Sequence, residues 1–143
     1  MATLTRGDAT HLPLGTILLR ASVVALTLAT AAIHASLGGM LFLANAAGYT
    51  VLALAMVAPG PPARWRWLVR LTLIGFTAVT VVGWVAIGPR FGLAYVDKAI
   101  EVALIGVLVI EQWRSDGGPQ GVVRHMRRLL GAVSHGSIAG TAR

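Results

Sequence analysis

Ala94-Tyr95-Val96-Asp97-Lys98-Ala99-Ile100-Glu101, running on from Val102 to Ile110, is the stretch whose reading decides the fold. Its second half is apolar enough for the middle of a membrane, while its first two turns carry three ionisable side chains. A charge in hydrocarbon costs about 2.5 to 3.5 kcal/mol even on lenient insertion scales, so such residues face a protein interior or water. Read as a membrane-spanning helix, the stretch predicts further spans around it and a polar cluster among them.

The composition fits that reading. Hydrophobic residues make up 56% of the 143 and charged residues only 12%, a balance that suits an integral membrane protein. Cysteine is absent, which rules out disulfides, thiolate metal sites and covalent haem attachment within the chain. The net charge of +7 does not point to nucleic acid, because the basic residues flank apolar runs and build no polar basic domain. Anionic lipid is the expected acidic partner.

About 20 apolar residues cross a bilayer core, and four segments are long enough: residues 18–37, 40–58, 67–87 and 95–113. Gly38-Gly39 reads as a tight turn between the first two, since glycine adopts the left-handed conformations that end one helix and begin another. Pro59-Gly60-Pro61-Pro62 and Gly88-Pro89-Arg90-Phe91-Gly92 interrupt the remaining boundaries. Short connections make neighbours antiparallel, so the expected fold is all-α, an up-down-up-down four-helix bundle. A secretory signal ending at Ala29-Thr30-Ala31 is the competing reading of the first segment. The apolar run continues past that point, so an intact first span is expected.

Of the twelve Lys and Arg residues, all but Arg90 and Lys98 then fall on the side of the termini and the middle loop. The positive-inside rule makes that side cytoplasmic, in a prokaryotic cytoplasmic membrane. Trp65, Trp67 and Trp113 sit at one expected boundary and Trp84 at the other, where amphipathic rings prefer to lie. Beyond Trp113, residues 115–121 read as a linker and residues 116–143 as a basic tail. Within the tail, Val122, Val123, Met126, Leu129, Leu130 and Val133 recur at helical spacing beside Arg124, Arg127 and Arg128. That pattern predicts a short amphipathic helix docking on the membrane surface or on a partner.

By depth, His34 falls near the outer end of the first span, Asn45 and Tyr49 near the start of the second, and Asp97, Lys98 and Glu101 in the outer turns of the fourth. Arg90 and Tyr95 lie beside them in sequence. All these groups gather in one half of the bundle, and the other half is expected to hold only scattered threonines. Asp97 and Glu101, four residues apart, share a helix face. Two carboxylates so close need a cation between them, or the deeper one, Glu101, carries a proton. Three roles fit such a set: a hydrogen-bonded network fastening helices, a small-ligand or lipid-headgroup site, or catalysis and proton transfer. His34, Asp97 and Glu101 offer donors of the kind zinc takes, but they lack a fixed spacing, so no metal is expected. Haem is disfavoured because His34 is the only histidine within a span, and no cofactor is expected.

Small residues at one- or two-turn spacing, such as Ala21, Ala25 and Ala29, Ala44 and Gly48, Gly75 and Gly83, and Ala99 and Ala103, predict close internal packing and leave homo-oligomerisation open. Together, His34, the run Leu41-Phe42-Leu43-Ala44-Asn45-Ala46-Ala47-Gly48-Tyr49 and the run from Ala94 to Glu101 resemble a group of small four-span prokaryotic membrane proteins of unknown function. The resemblance implies that the outer polar set belongs together and carries no catalytic role with it. The expected function is a non-catalytic accessory or assembly subunit of a larger membrane complex, concerned with electron transfer, with other membrane subunits as partners. The alternatives are a small-molecule, lipid or proton-coupled binding and transport protein that uses the outer polar site and, third, a membrane redox enzyme.

Overall fold

The structure is a computed structural model that describes residues 14–59 and 65–138, without the side chains of 129 and 132–138. The proline run of the middle loop beyond Pro59, the N-terminal tail and the last five residues lie outside the described residues. All regular structure among the described residues is helical: α1 Leu14–Leu37, α2 Met40–Val57, α3 Arg66–Ile87, α4 Gly92–Asp116 and α5 Gly118–Ile138. The first three are long and apolar enough to cross a membrane, which marks an integral membrane protein. α4 is longer than any of them but carries charges near both ends.

Sequence punctuation sets the helix boundaries. Gly38 and Gly39 have φ of 68° and 80°, a left-handed pair in which an L side chain is strained. It turns α1 directly into α2. At the far end of α3, Trp84 Nε1–H donates to the Pro89 carbonyl at 2.9 Å, which pins the turn into α4.

α1 packs on α2 and α4, and α3 packs on α2 and α4, so the first four helices close a ring. Arg20, early in α1, meets Glu111 late in α4, whereas His34, late in α1, meets Asp97 early in α4. α1 and α4 are therefore antiparallel. α3 and α4 are too, with Arg70 against Glu111 and Thr80 against Glu101. Val23, Ala31, Tyr49, Met56, Leu73, Leu104 and Leu108 form the apolar centre.

One of the small-residue expectations holds at a helix contact. A Cβ on Gly48 would come within 2.8 Å of the Phe76 ring, so the glycine lets α3 approach α2. Ala21, Ala25, Ala29, Ala44, Gly75, Gly83, Ala99 and Ala103 instead lie on exposed faces. On α1 the opposite face carries Thr27, Thr30 and His34, all buried. Removing polar side chains from an apolar surround outweighs the packing gained by burying alanine.

The segment read as a linker before the tail helix is a single tight turn, and the helix is longer than expected. Gly117 takes the left-handed cap conformation, its N–H reaching the Trp113 carbonyl at 3.2 Å. Gly118 follows with φ of 67°, and Pro119 sits in the first turn of α5, where its missing N–H costs nothing. α5 then packs on α4, and the His125 ring stacks on Trp67 at 5.3 Å. Gly121 sits so close to α4 that a Cβ would fall 1.5 Å from the Asp116 carbonyl oxygen. Gly121→Ala is therefore expected to push α5 off, at the 1 to 3 kcal/mol usual for overpacking. Faster amide exchange throughout α5, with α1 to α4 unchanged, is the expected reading; unchanged protection in α5 would refute the close approach.

Candidate functional site

At the end of the ring where α1 turns into α2, three helices aim polar side chains at the first turns of α4. Asp97 and Glu101 are 2% and 0% exposed, and one turn of helix puts both on the inward face. Lys98 Nζ lies between them, 3.0 Å from Asp97 Oδ2 and 2.5 Å from Glu101 Oε2. Of the two ways to keep these carboxylates together, the fold uses the interposed cation.

The remaining carboxylate oxygens are also engaged. The Thr30 hydroxyl of α1 donates to Asp97 Oδ1 at 2.6 Å. From α2, the Tyr49 hydroxyl donates to Glu101 Oε1 at 2.8 Å. The Thr80 hydroxyl of α3 lies 2.9 Å from the same oxygen and 2.9 Å from the Tyr49 hydroxyl. The Tyr49 ring is held edge-on by Phe76, centroids 4.9 Å apart, so aromatic packing aims the phenol at Glu101.

His34 completes the cluster. Its Nδ1 is 2.9 Å from the Thr30 carbonyl one turn back, which places the Nδ1 proton there and leaves Nε2 4.0 Å from Glu101 Oε1. Ligand atoms of His34, Asp97 and Glu101 lie within 4.8 Å of one another, close enough for one metal ion. Lys98 already supplies positive charge between the two carboxylates, and a divalent ion there would have to displace it. The donor set is therefore better suited to an ion-pair network than to a metal.

Of the residues expected in this set, His34, Tyr49, Asp97, Lys98 and Glu101 converge. Asn45 is half-buried nearby, its amide without a hydrogen-bond partner among the described residues. Arg90 and Tyr95 go elsewhere. Arg90 donates to the Val85 carbonyl at 2.7 Å and lies over the Trp84 ring at 4.2 Å, and Tyr95 meets the same indole edge-on. Thr30 and Thr80 were not anticipated, because threonine within a helix usually bonds its own backbone. Here Thr80 meets a carboxylate of α4 besides the Thr77 carbonyl, and Thr30 turns its hydroxyl to Asp97.

Above the cluster is a cavity of about 360 Å³ bounded by all four helices and the α3–α4 turn. Its walls are mostly apolar, with Leu41, Phe42, Val79, Trp84, Ile87 and Phe91 prominent, and His34, Asn45, Thr80, Asp97 and Lys98 supply its polar side. That volume is at the small end of ligand pockets, which run from about 300 to 1,000 Å³. One ring or a short chain fits, and a whole phospholipid does not.

The opposite end of the ring, expected to hold only threonines, contains a second polar cluster. Arg70 is 3% exposed and Glu111 1%. The Arg70 guanidinium donates through Nε to Gln112 Oε1 at 2.8 Å, through Nη1 to Glu111 Oε1 at 3.3 Å and through Nη2 to Asp116. Arg20 Nε approaches Glu111 Oε1 at 3.7 Å. Glu111 Oε2 and Gln112 Nε2 are buried without hydrogen-bond partners among the described residues. One signal pointed here: Asp97, Glu101, Leu104, Leu108 and Glu111 follow helical spacing on α4, so Glu111 had to share the inward face. On α5, Arg124, Arg127 and Arg128 are all exposed, as are Val123, Met126 and Leu130.

Comparison with protein-family profiles, with curated proteins and with solved structures finds no match to this chain.

Proposed function

We propose that the chain is a four-span integral membrane protein that binds a small lipid-soluble molecule in the cavity above Lys98, without catalytic activity of its own. The observation that carries this reading is the cavity itself: about 360 Å³, mostly apolar walls, and a polar floor contributed by α1 to α4. A network whose only role was to fasten helices would need no such space above it. α4 serves as the fourth span because its charges turn inward. From Ala99 to Ile110 its exposed residues are Ala99, Val102, Ala103, Gly106, Val109 and Ile110, a lipid-compatible strip, and its 25 residues reach about 37 Å at 1.5 Å per residue. Under this reading the positive-inside rule orients the Arg-rich end of the ring toward the cytoplasm and the cavity toward the outer half of the membrane.

Native mass measurement of the protein extracted from its own membrane tests this reading. Retention of a species of a few hundred daltons supports it. A chain that carries nothing, from preparations that keep other lipophilic ligands bound, counts against it.

A second reading is an accessory or assembly subunit of a larger membrane complex, possessing α5 as its docking arm. It is favoured by the two stripes of α5, apolar Val123, Met126 and Leu130 beside basic Arg124, Arg127 and Arg128, all exposed. Anionic lipid at the cytoplasmic leaflet fits the same stripes, at about 1 kcal/mol per basic residue. Changing the three arginines together to Gln is expected to strip foreign subunits from the native assembly under this reading. If α5 rests on lipid alone, the same change lowers binding of an isolated α5 peptide to anionic vesicles and leaves the assembly's mass unaltered.

A further inference from the structure

The polar atoms facing the cavity constrain the charge of what it holds. Asp97 Oδ1 and Oδ2 accept from Thr30 and Lys98, and Glu101 Oε1 and Oε2 accept from Tyr49 and Lys98. Each of these oxygens already holds a donor, both carboxylates are almost wholly buried, and Lys98, which lines the cavity, repels an incoming ammonium group. An anion fares no better. With the Asp97 and Glu101 carboxylates on either side of the one ammonium, the floor offers an anion no surplus of positive charge in a poor dielectric.

Hydrogen-bond donors are what remain. An ammonium has three N–H groups, and Lys98 directs two of them to Asp97 and Glu101, leaving one. The Asn45 side-chain amide, which lines the cavity from α2, has no hydrogen-bond partner among the described residues. Phe42 and Phe91 add apolar rings to the lining around them.

We infer that the cavity takes an uncharged, lipid-soluble carbonyl compound about the size of one or two fused rings, its oxygen accepting from Lys98 and Asn45. This inference rests on the ligand-site reading above and adds the chemical class to it. Gly83 supplies the control. It lines the cavity, and a Cβ there meets nothing within 4 Å, so Gly83→Leu starts without a backbone clash, is expected to occupy the space and improves helix propensity.

The test compares the full chain and Gly83→Leu in phosphatidylcholine nanodiscs, by thermal unfolding with menadione, decanoate or decylamine as uncharged, anionic and cationic probes. Menadione is expected to raise the midpoint of the parent protein by several degrees and to leave Gly83→Leu unmoved, while the two charged probes do not distinguish the proteins. Asn45→Ala is expected to weaken menadione about fivefold, the weight of one hydrogen bond. If decanoate or decylamine stabilises the parent but not Gly83→Leu and menadione does neither, the chemical class is overturned and the site survives. If no probe separates the parent from Gly83→Leu, the ligand-site reading falls with it.

Discussion

Lys98→Met is expected to lower the stability of the helical ring by about 3 to 5 kcal/mol, the usual cost of removing one partner from a buried ion pair. The side chain lost is the ammonium between Asp97 and Glu101, which are almost wholly excluded from solvent. Methionine matches the length of the stem but leaves two carboxylates facing each other. The cost belongs to the uncompensated charge and not to the lysine as such. Adding Asp97→Asn and Glu101→Gln to the same protein should therefore restore most of the loss. Glu101→Gln alone is expected to be milder. Its amide oxygen can still accept from Tyr49 and Thr80, while its NH₂ must face Lys98 and a donor loses its acceptor. Unfolding midpoints in detergent, each compared with the parent, give all three values, and a silent Lys98→Met would show that the ammonium does not hold the carboxylates.

Arg70→Met is the second large effect, again about 3 to 5 kcal/mol, at the other end of α4. The guanidinium reaches Gln112, Glu111 and Asp116 at once, a fork that only arginine supplies. Arg70→Lys should recover only part of the loss, because a point charge cannot serve three acceptors in that plane. Since Glu111 Oε2 and Gln112 Nε2 already lack partners among the described residues, the cluster is not an ideal one. The double change Arg70→Met with Glu111→Leu is expected to sit closer to the parent than Arg70→Met alone. Asp116 ends α4 one residue before the Gly117 cap, so losing Arg70 should also loosen α5. Amide exchange at residues 118–128 is the reading that separates this effect from a general loss of stability.

Helix positions were legible because glycine and proline mark them. The Gly38-Gly39 turn and the breaks around Pro59 and Pro89 fall where the apolar runs stop, and α1 to α3 begin and end within four residues of the expected bounds. The α4–α5 turn carried an equally clear signal, glycine at the cap and proline in the next first turn. It reads as a linker only if the glycines are counted as composition and not by position. The cluster around Lys98 stood out because charges inside an apolar run have few places to go. Arg90 and Tyr95 show the limit of sequence proximity: Arg90 lies in the turn before α4 and is fixed to no helix face, Tyr95 lies on the exposed face of α4, away from Asp97 and Glu101, and both meet the Trp84 ring. The Arg70 cluster was hidden because arginines near span ends look like boundary cations. The helical phase of Glu111 relative to Glu101 was the one signal from which an inward-turned arginine could have been read, and it was not used.

Everything proposed for the cavity depends on α4 crossing the membrane, and the absence of cysteine gives a clean background for testing it. Gly92→Cys and Ser115→Cys each place one thiol at an exposed position, at opposite ends of α4. A membrane-impermeant maleimide applied to spheroplasts is expected to label the Gly92→Cys protein directly and the Ser115→Cys protein only after permeabilisation. Labelling of both proteins from the same side would contradict the account, because α4 would then not span and the buried charges would need another explanation.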